Sequence, residues 1–333
     1  MFTTSFGSIE RRRPGRLATL GSAAVVAGAL LAGCGAQNDA ASGDSKLIVF
    51  ALSFPCQLND YATRLCDGVN EAAKSLPAGF RVDVKTGVNY GDNVAFNNLI
   101  QTSVQLRPAG LIVFPSGPAA QTPVLNQACA RDIKVIIIDS PADGVKCQSS
   151  FVGANHRQLG ELAGQWLVAH PPAGKEVGVV ALPPGQYTSN DDRVKGFTET
   201  VEAAGYQVVA DVTTDLGLDS TRRGVTNMVT AHPGLGAVFS ANSQIGQGTA
   251  QALKGNRQVV QLTADGSLTN VPSILDGTIS ADAAQDPYGM GRTAVEYMVK
   301  VIQGQEVPPI TYTRAEVVDK DNAQAYLQAG GLK

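Results

Sequence analysis

Short apolar runs rich in β-branched residues recur along the chain, and the stretches between them carry apolar positions at helical spacing. The runs predict strands near Lys46–Leu52, Arg81–Lys85, Gly110–Phe114, Lys134–Asp139, Glu176–Ala181, Gln207–Thr213, Ala237–Ser240 and Val259–Ala264. Their nearly continuous hydrophobicity is that of parallel strands covered on both faces. The intervening pattern predicts helices over Asp60–Ser75, Asn93–Leu106, Ala119–Arg131, Arg157–His170, Asp191–Ala204, Ser220–Ala231 and Ile245–Leu253. Asp or Ser near several starts can cap free N–H groups, and Gly205 suits a left-handed stop. This alternation predicts an α/β chain with two doubly wound parallel sheets, one built before about residue 153 and one after it. Right-handed crossovers bring the strand C-termini of each sheet to one edge, where ligands bind in open α/β sheets.

Composition supports the same picture. The 333 residues suit two domains, and 44% hydrophobic with 17% charged residues describes a globular chain rather than a disordered one. A formal charge of −3 argues against an electrostatic nucleic-acid binder. The N-terminus adds an export pattern: Arg11, Arg12, Arg13 and Arg16, an uncharged stretch from Leu17 to Gly33, then Cys34. Such an apolar segment falls short of the roughly 20 residues that span a bilayer and suits a signal peptide over residues 1–33. Leu31-Ala32-Gly33-Cys34 resembles a bacterial lipoprotein box, which implies lipid on the Cys34 thiol and anchoring to the outer face of the cytoplasmic membrane. Residues 34–45 then read as a flexible tether. Removing residues 1–33 leaves 22 basic and 28 acidic side chains, a net of −6. Four cysteines remain, Cys56, Cys66, Cys129 and Cys147, and three pairings are possible.

Signatures of catalysis are missing. There is no GxSxG elbow, no GxxxxGK[ST] loop and no GxGxxG after the first strand. His156, His170 and His232 are scattered, no Cys/His spacing suggests a metal, and no twelve-residue acidic loop suggests calcium. The expectation is a non-enzymatic protein without metal or cofactor. Trp166, beside Leu162 and Leu167 in a helix, reads as core.

Cys66-Asp67-Gly68, Val135-Ile-Ile-Ile-Asp139, Thr230-Ala-His-Pro233 followed by Ala237-Val-Phe-Ser-Ala-Asn242, Thr263-Ala-Asp265-Gly266 and Ala284-Gln285-Asp286-Pro287 carry a family resemblance. Over residues 46–320 the chain resembles the type I periplasmic binding proteins of ABC importers, in particular the ribose-binding-like sugar binders. The resemblance implies two similar lobes joined by three hinge crossings, near Gly153–Asn155, Gln285–Asp286 and Pro309–Thr311. One lobe would hold 46–153 plus 286–310, the other 154–285 plus 311–333. It implies a small sugar or polyol bound between the lobes, delivery to a membrane permease, and a monomer; a sensor presenting ligand to a membrane receptor uses the same clamp. Matched to the family, Asn59, Tyr61 and Asp139 would meet the ligand from the first lobe, and Asn242, Asp265 and Gln285 from the second; Phe54 reads as a second aromatic platform against the ligand or as core at the end of the first strand. Ser140 and Asp191 stand where ribose binders carry arginines, so the donor pattern differs and the implied ligand is sugar-like rather than ribose itself. Asp191 reads as a ligand acceptor or a helix cap, and Arg193 as a substitute arginine or a solvated side chain. On this topology Cys56 and Cys66 lie toward the cleft edge and Cys129 and Cys147 toward the opposite edge, which predicts Cys56–Cys66 and Cys129–Cys147 bridges.

Overall fold

The computed structural model describes residues 45–332 apart from Tyr90 and Arg257. The expected signal segment, Cys34 and all of the tether but Ser45 lie outside the described residues. The first lobe opens with β1 (Lys46–Leu52), α1 (Asp60–Lys74), β2 (Phe80–Thr86), α2 (Asn93–Gln105), β3 (Gly110–Val113), α3 (Pro118–Cys129), β4 (Lys134–Ile138) and β5 (Gln148–Gly153). The second follows with α4 (His156–Ala169), β6 (Glu176–Ala181), α5 (Thr188–Ala203), β7 (Gln207–Thr213), α6 (Leu218–Ala231), β8 (Leu235–Ser240), α7 (Ser243–Ala252), β9 (Val260–Asp265), α8 (Val271–Leu275) and β10 (Ala281–Gln285). Then come α9 (Pro287–Ile302), β11 (Ile310–Tyr312), β12 (Ala315–Asp319) and α10 (Ala323–Ala329).

The strands form two six-stranded sheets, ordered β2-β1-β3-β4-β5-β11 and β7-β6-β8-β9-β10-β12. All neighbours run parallel except β10 and β12. β11 pairs with β5 in the first sheet while β12 joins the second. The last passage between sheets therefore falls between Tyr312 and Ala315, a few residues beyond the expected Pro309–Thr311.

β1 shows why its sequence reads as a continuous apolar run. Ile48, Phe50 and Leu52 enter the core shared with α1 and α9, whereas Leu47, Val49 and Ala51 enter the core on the opposite face with α2 and α3. Full burial of each large side chain contributes about 1.5–3 kcal/mol, so a polar residue on either face would be costly. In the second lobe Val177 and Val179 serve one core and Val180 the other. Each lobe also has one helix pair brought into backbone contact by glycine. A Cβ at Gly68 of α1 would overlap the Tyr288 carbonyl of α9, and one at Gly160 of α4 would overlap the Arg193 carbonyl of α5. The second approach fixes how deeply α5 sits, and α5 carries a central residue of the site.

Both expected bridges are present, Cys56–Cys66 with Cα atoms 5.9 Å apart and Cys129–Cys147 at 5.4 Å. The first ties the loop after β1 to α1; the second ties the end of α3 to the segment before β5. No helix among the described residues is long and apolar enough to cross a membrane.

Candidate functional site

The C-terminal edges of the two sheets face each other across a cavity of about 540 Å³. Two carboxylates sit at corresponding places on these edges, Asp139 just after β4 and Asp265 ending β9. Both have positive φ, 61° and 101°. Such backbone is costly for a residue with a side chain and persists where the surroundings hold it, commonly at ligand sites.

Asp139 is 4% exposed and held by its own lobe. The Tyr61 hydroxyl donates to Oδ1 at 2.7 Å and Ser140 Oγ to Oδ2 at 2.9 Å. Burial and the adjacent Asp139 carboxylate raise the Tyr61 hydroxyl well above its ordinary pKa, so it remains a donor. Phe54 and Phe114 complete this wall in an edge-to-face pair with centroids 5.2 Å apart.

Asp265 is the centre of the opposite wall. Arg193 Nη1 lies 2.7 Å from Oδ1, Gln285 Nε2 donates to the same oxygen at 2.9 Å, and the Ser243 N–H donates to Oδ2 at 3.1 Å. The buried Arg193 also donates to the Ala241 carbonyl and, through Nε, to His156 Nδ1 at 3.2 Å. A guanidinium can only donate, so Nδ1 accepts and His156 Nε2–H donates to the Asp139 carbonyl oxygen at 2.9 Å. Burial, then the nearby Arg193 charge, lower the His156 pKa and keep the ring neutral in this relay between the two strand ends.

The asparagines have divided roles. Asn59 Oδ1 caps α1 through the Ala62 N–H and Asn242 Oδ1 caps α7 through the Ile245 N–H, while both residues line the cavity. Each lobe thus offers the amide end of an N-cap. Asn190, also lining the cavity, accepts the Leu182 N–H, and its buried Nδ2 has no partner among the described residues. Gln285 Oε1 is likewise buried and unpartnered. Both residues line the cavity, and each unmet atom is buried and costly without a partner.

Of the expected contact residues, Phe54, Asn59, Tyr61, Asp139, Asn242, Asp265 and Gln285 line the cavity, and Ser140 and Asp191 do not. Ser140 Oγ orients Asp139 and lies 3.4 Å from Ser189 Oγ of the other lobe. Asp191 Oδ2 accepts the Gly185 N–H at 2.8 Å and so closes its own loop instead of facing a ligand. The second-lobe arginine is Arg193, two residues later. Sequence reasoning also passed over Asp60, which lines the cavity between the two residues it did single out. Asp60 accepts from Ser267 Oγ at 2.8 Å and from the Leu268 N–H, bridging the lobes. Arg64 makes a second bridge to the Leu332 carbonyl. Trp166 donates its indole N–H to Asp319 at 2.9 Å and stacks on His170, away from the cavity.

Two parallel sheets meeting edge to edge over such a cavity invite comparison with known proteins, and a family model described as a periplasmic binding protein domain matches residues 50–306. The chain belongs to this family. It is 27% identical over 295 residues to the ribose import binding protein RbsB of Escherichia coli (strain K12), covering 88% of this chain and 94% of that protein. It is 24% identical over 267 residues to the RbsB of Bacillus subtilis (strain 168), covering 80% and 85%. Among solved structures it resembles an ABC transporter solute-binding protein of Mycobacterium smegmatis with bound glycerol. That match has a TM-score of 0.75 at 27% identity, over 85% of this chain and 97% of the other. A carbohydrate transporter solute-binding protein of Agrobacterium radiobacter in complex with D-arabinose matches with a TM-score of 0.76 at 25% identity, over 86% and 99%. The periplasmic binding protein family is one of solute binders, and its two-lobed α/β architecture is the one described above.

Proposed function

We propose that this chain is an extracytoplasmic receptor of an ABC importer that captures a small sugar or polyol between its lobes and hands it to a membrane permease, held to the membrane by lipid on Cys34. The observation that carries the ligand class is the hydrogen-bonding inventory of the cavity. Acceptors on Asp139 and Asp265 and donors on Arg193, Asn59 and Asn242 line one space together with the side chains of Asn190 and Gln285. A hydroxyl needs both a donor and an acceptor once water is expelled, and a polyhydroxyl ligand meets this mixture. The aromatic pair Phe54–Phe114 suits the C–H face of such a ligand. The relatives whose names include ribose, and the structures bound to D-arabinose and glycerol, support the same class.

The lobes in this reading are 46–153 with 286–312, and 154–285 with 313–332. They close as a hinged clamp, because a ligand touching Asp139 on one side and Asp265 on the other binds the closed arrangement better than an open one. The test is a thermal-shift and calorimetric screen of pentoses, hexoses, tetritols and pentitols. A ligand at a hundred times its Kd adds about 2.7 kcal/mol of stability, an easily read rise in Tm. Rises with amino acids or nucleosides and none with sugars or polyols would overturn the ligand class.

A further inference from the structure

The cavity lining includes two chemically distinct sets. Asp139, Arg193 and Asp265 are charged, whereas Tyr187, Leu182, Leu216 and Leu218 from the second lobe and Leu58 from the first are largely apolar. Tyr187 and Leu182 are buried like Asp139 and Arg193, while Leu58 and Leu218 are 49% and 41% exposed. A hexose at interior packing density takes up roughly 200 Å³. That is less than half of the cavity's volume of about 540 Å³, so a free sugar held by the charged groups leaves room for a substituent against the leucines.

The geometry of the leucine set is specific. Leu216 has φ of +70°, a left-handed conformation that branched apolar side chains avoid. The turn is held by Gln244, whose Nε2 donates to the Leu216 carbonyl at 3.1 Å, and by Asp215, whose Oδ1 accepts the Gly217 N–H and the Ser220 hydroxyl. Backbone strain is thus maintained at a leucine that lines the cavity. Beyond Leu182, Tyr187 and Leu216 lies a second cavity of about 600 Å³ that shares these three residues as a wall. Within it the Thr214 hydroxyl is paired with Thr221 at 2.7 Å and Asp215 Oδ1 with Ser220, while Gln186 and Thr213 add polar groups to its lining. The shared wall of Leu182, Tyr187 and Leu216, continued by Leu218 and Leu58, supplies apolar surface to a substituent.

We propose that the natural ligand carries an alkyl or aryl substituent on one end of its polyhydroxyl head, seated against Tyr187, Leu216, Leu218 and Leu58; that is, a glycoside rather than a free sugar. The inference rests on the sugar-binding reading above. Each methylene moved from water onto such a surface improves affinity roughly fourfold, so a four-carbon chain with two or three methylenes covered gains more than tenfold.

The experiment is calorimetry on the full-length protein with a panel of pentoses and hexoses, each beside its methyl, n-butyl and phenyl glycosides in both anomers. The expected result is a sugar whose butyl or phenyl glycoside binds at least tenfold tighter than the free sugar, with the methyl glycoside between them. In Leu216→Ser and, separately, in the more exposed Leu218→Ser, the ratio of the two dissociation constants should fall toward one. Free sugars binding as tightly as every glycoside, or a ratio unchanged in both variants, overturns the apolar subsite and leaves the sugar reading intact. Failure of all sugars and all glycosides to bind overturns both.

Discussion

The two lobes share an architecture and meet the cavity with opposite means. The first lobe presents an aromatic wall, Phe54, Phe114 and Tyr61, around the single strand-end carboxylate Asp139, and carries both disulfides. The second has no cysteine; it presents Arg193, Asp265, Asn190 and Asn242, each tied into a hydrogen-bond network. The difference follows from what each surface needs. An apolar wall requires only a fixed shape, which a bridge from the loop at Cys56 to α1 supplies. A wall of buried charge is stable only while every charge keeps its partners, so its rigidity comes from the network itself.

Breaking the network should therefore cost most. Arg193→Met leaves Asp265 without its cation and the Ala241 carbonyl without its donor, and is expected to cost about 3–5 kcal/mol in urea unfolding along with most ligand affinity. An Arg193→Met protein as stable as the native one would mean that the charged wall is not held as described. Opening the Cys129–Cys147 bridge by double substitution with serine, a change confined to the first lobe and remote from the cavity, should cost about 3 kcal/mol with ligand affinity largely retained. The same change at Cys56–Cys66 should weaken binding as well, since that bridge braces the loop bearing Phe54 and Asn59; equal affinity in the two variants would erase the distinction. Tyr61→Phe removes one charge-assisted hydrogen bond from Asp139 and should cost about 2 kcal/mol, checked by denaturation and calorimetry.

The smallest net effect is with pH, where two buried groups of the second lobe oppose each other. Asp282, beneath the Asp265–Gly266 turn, accepts the Gly266 N–H, and burial raises its pKa to about 7. Its contribution to stability is present below the unfolded value near 4 and is lost as pH rises through about 7. His156 has a lowered pKa, so its contribution is present above the unfolded value near 6.5 and is lost as pH falls through the folded one. Asp282→Asn removes the first of these. Its Tm relative to the native protein should climb from pH 5 and level off above about pH 7, and parallel profiles would contradict a buried, neutral Asp282.

Legibility tracked how locally each feature is encoded. The eight apolar runs became strands and the seven helical patterns became helices, because both signals reside in a few adjacent side chains. β10 escaped notice for the opposite reason: Ala281-Asp-Ala-Ala-Gln285 has no β-branched residue, and every one of its positions is buried between β9 and β12. β5, α8, α9 and α10 were missed too, as were the short β11 and β12, which pair with strands far back in the chain. Within the site, the family resemblance pointed to the strand-end carboxylates and the N-cap asparagines, and left open whether Asp191 or Arg193 faces the cavity. Two residues along a helix turn the side chain by about 200°, and only the depth at which α5 packs on α4 through Gly160 decides which of them meets the cavity.

By itself, then, the sequence determined the α/β class and the sheet edge at which the cavity lies, since each depends on local periodicity or on the hand of a crossover. Tertiary structure alone decided which sheet β11 and β12 join, that Asp60 and Arg64 reach across to the other lobe, and that Leu58, Leu216 and Leu218 share one cavity. Those outcomes depend on distances between residues from 30 to more than 200 positions apart, for which a single chain of letters carries no local signal.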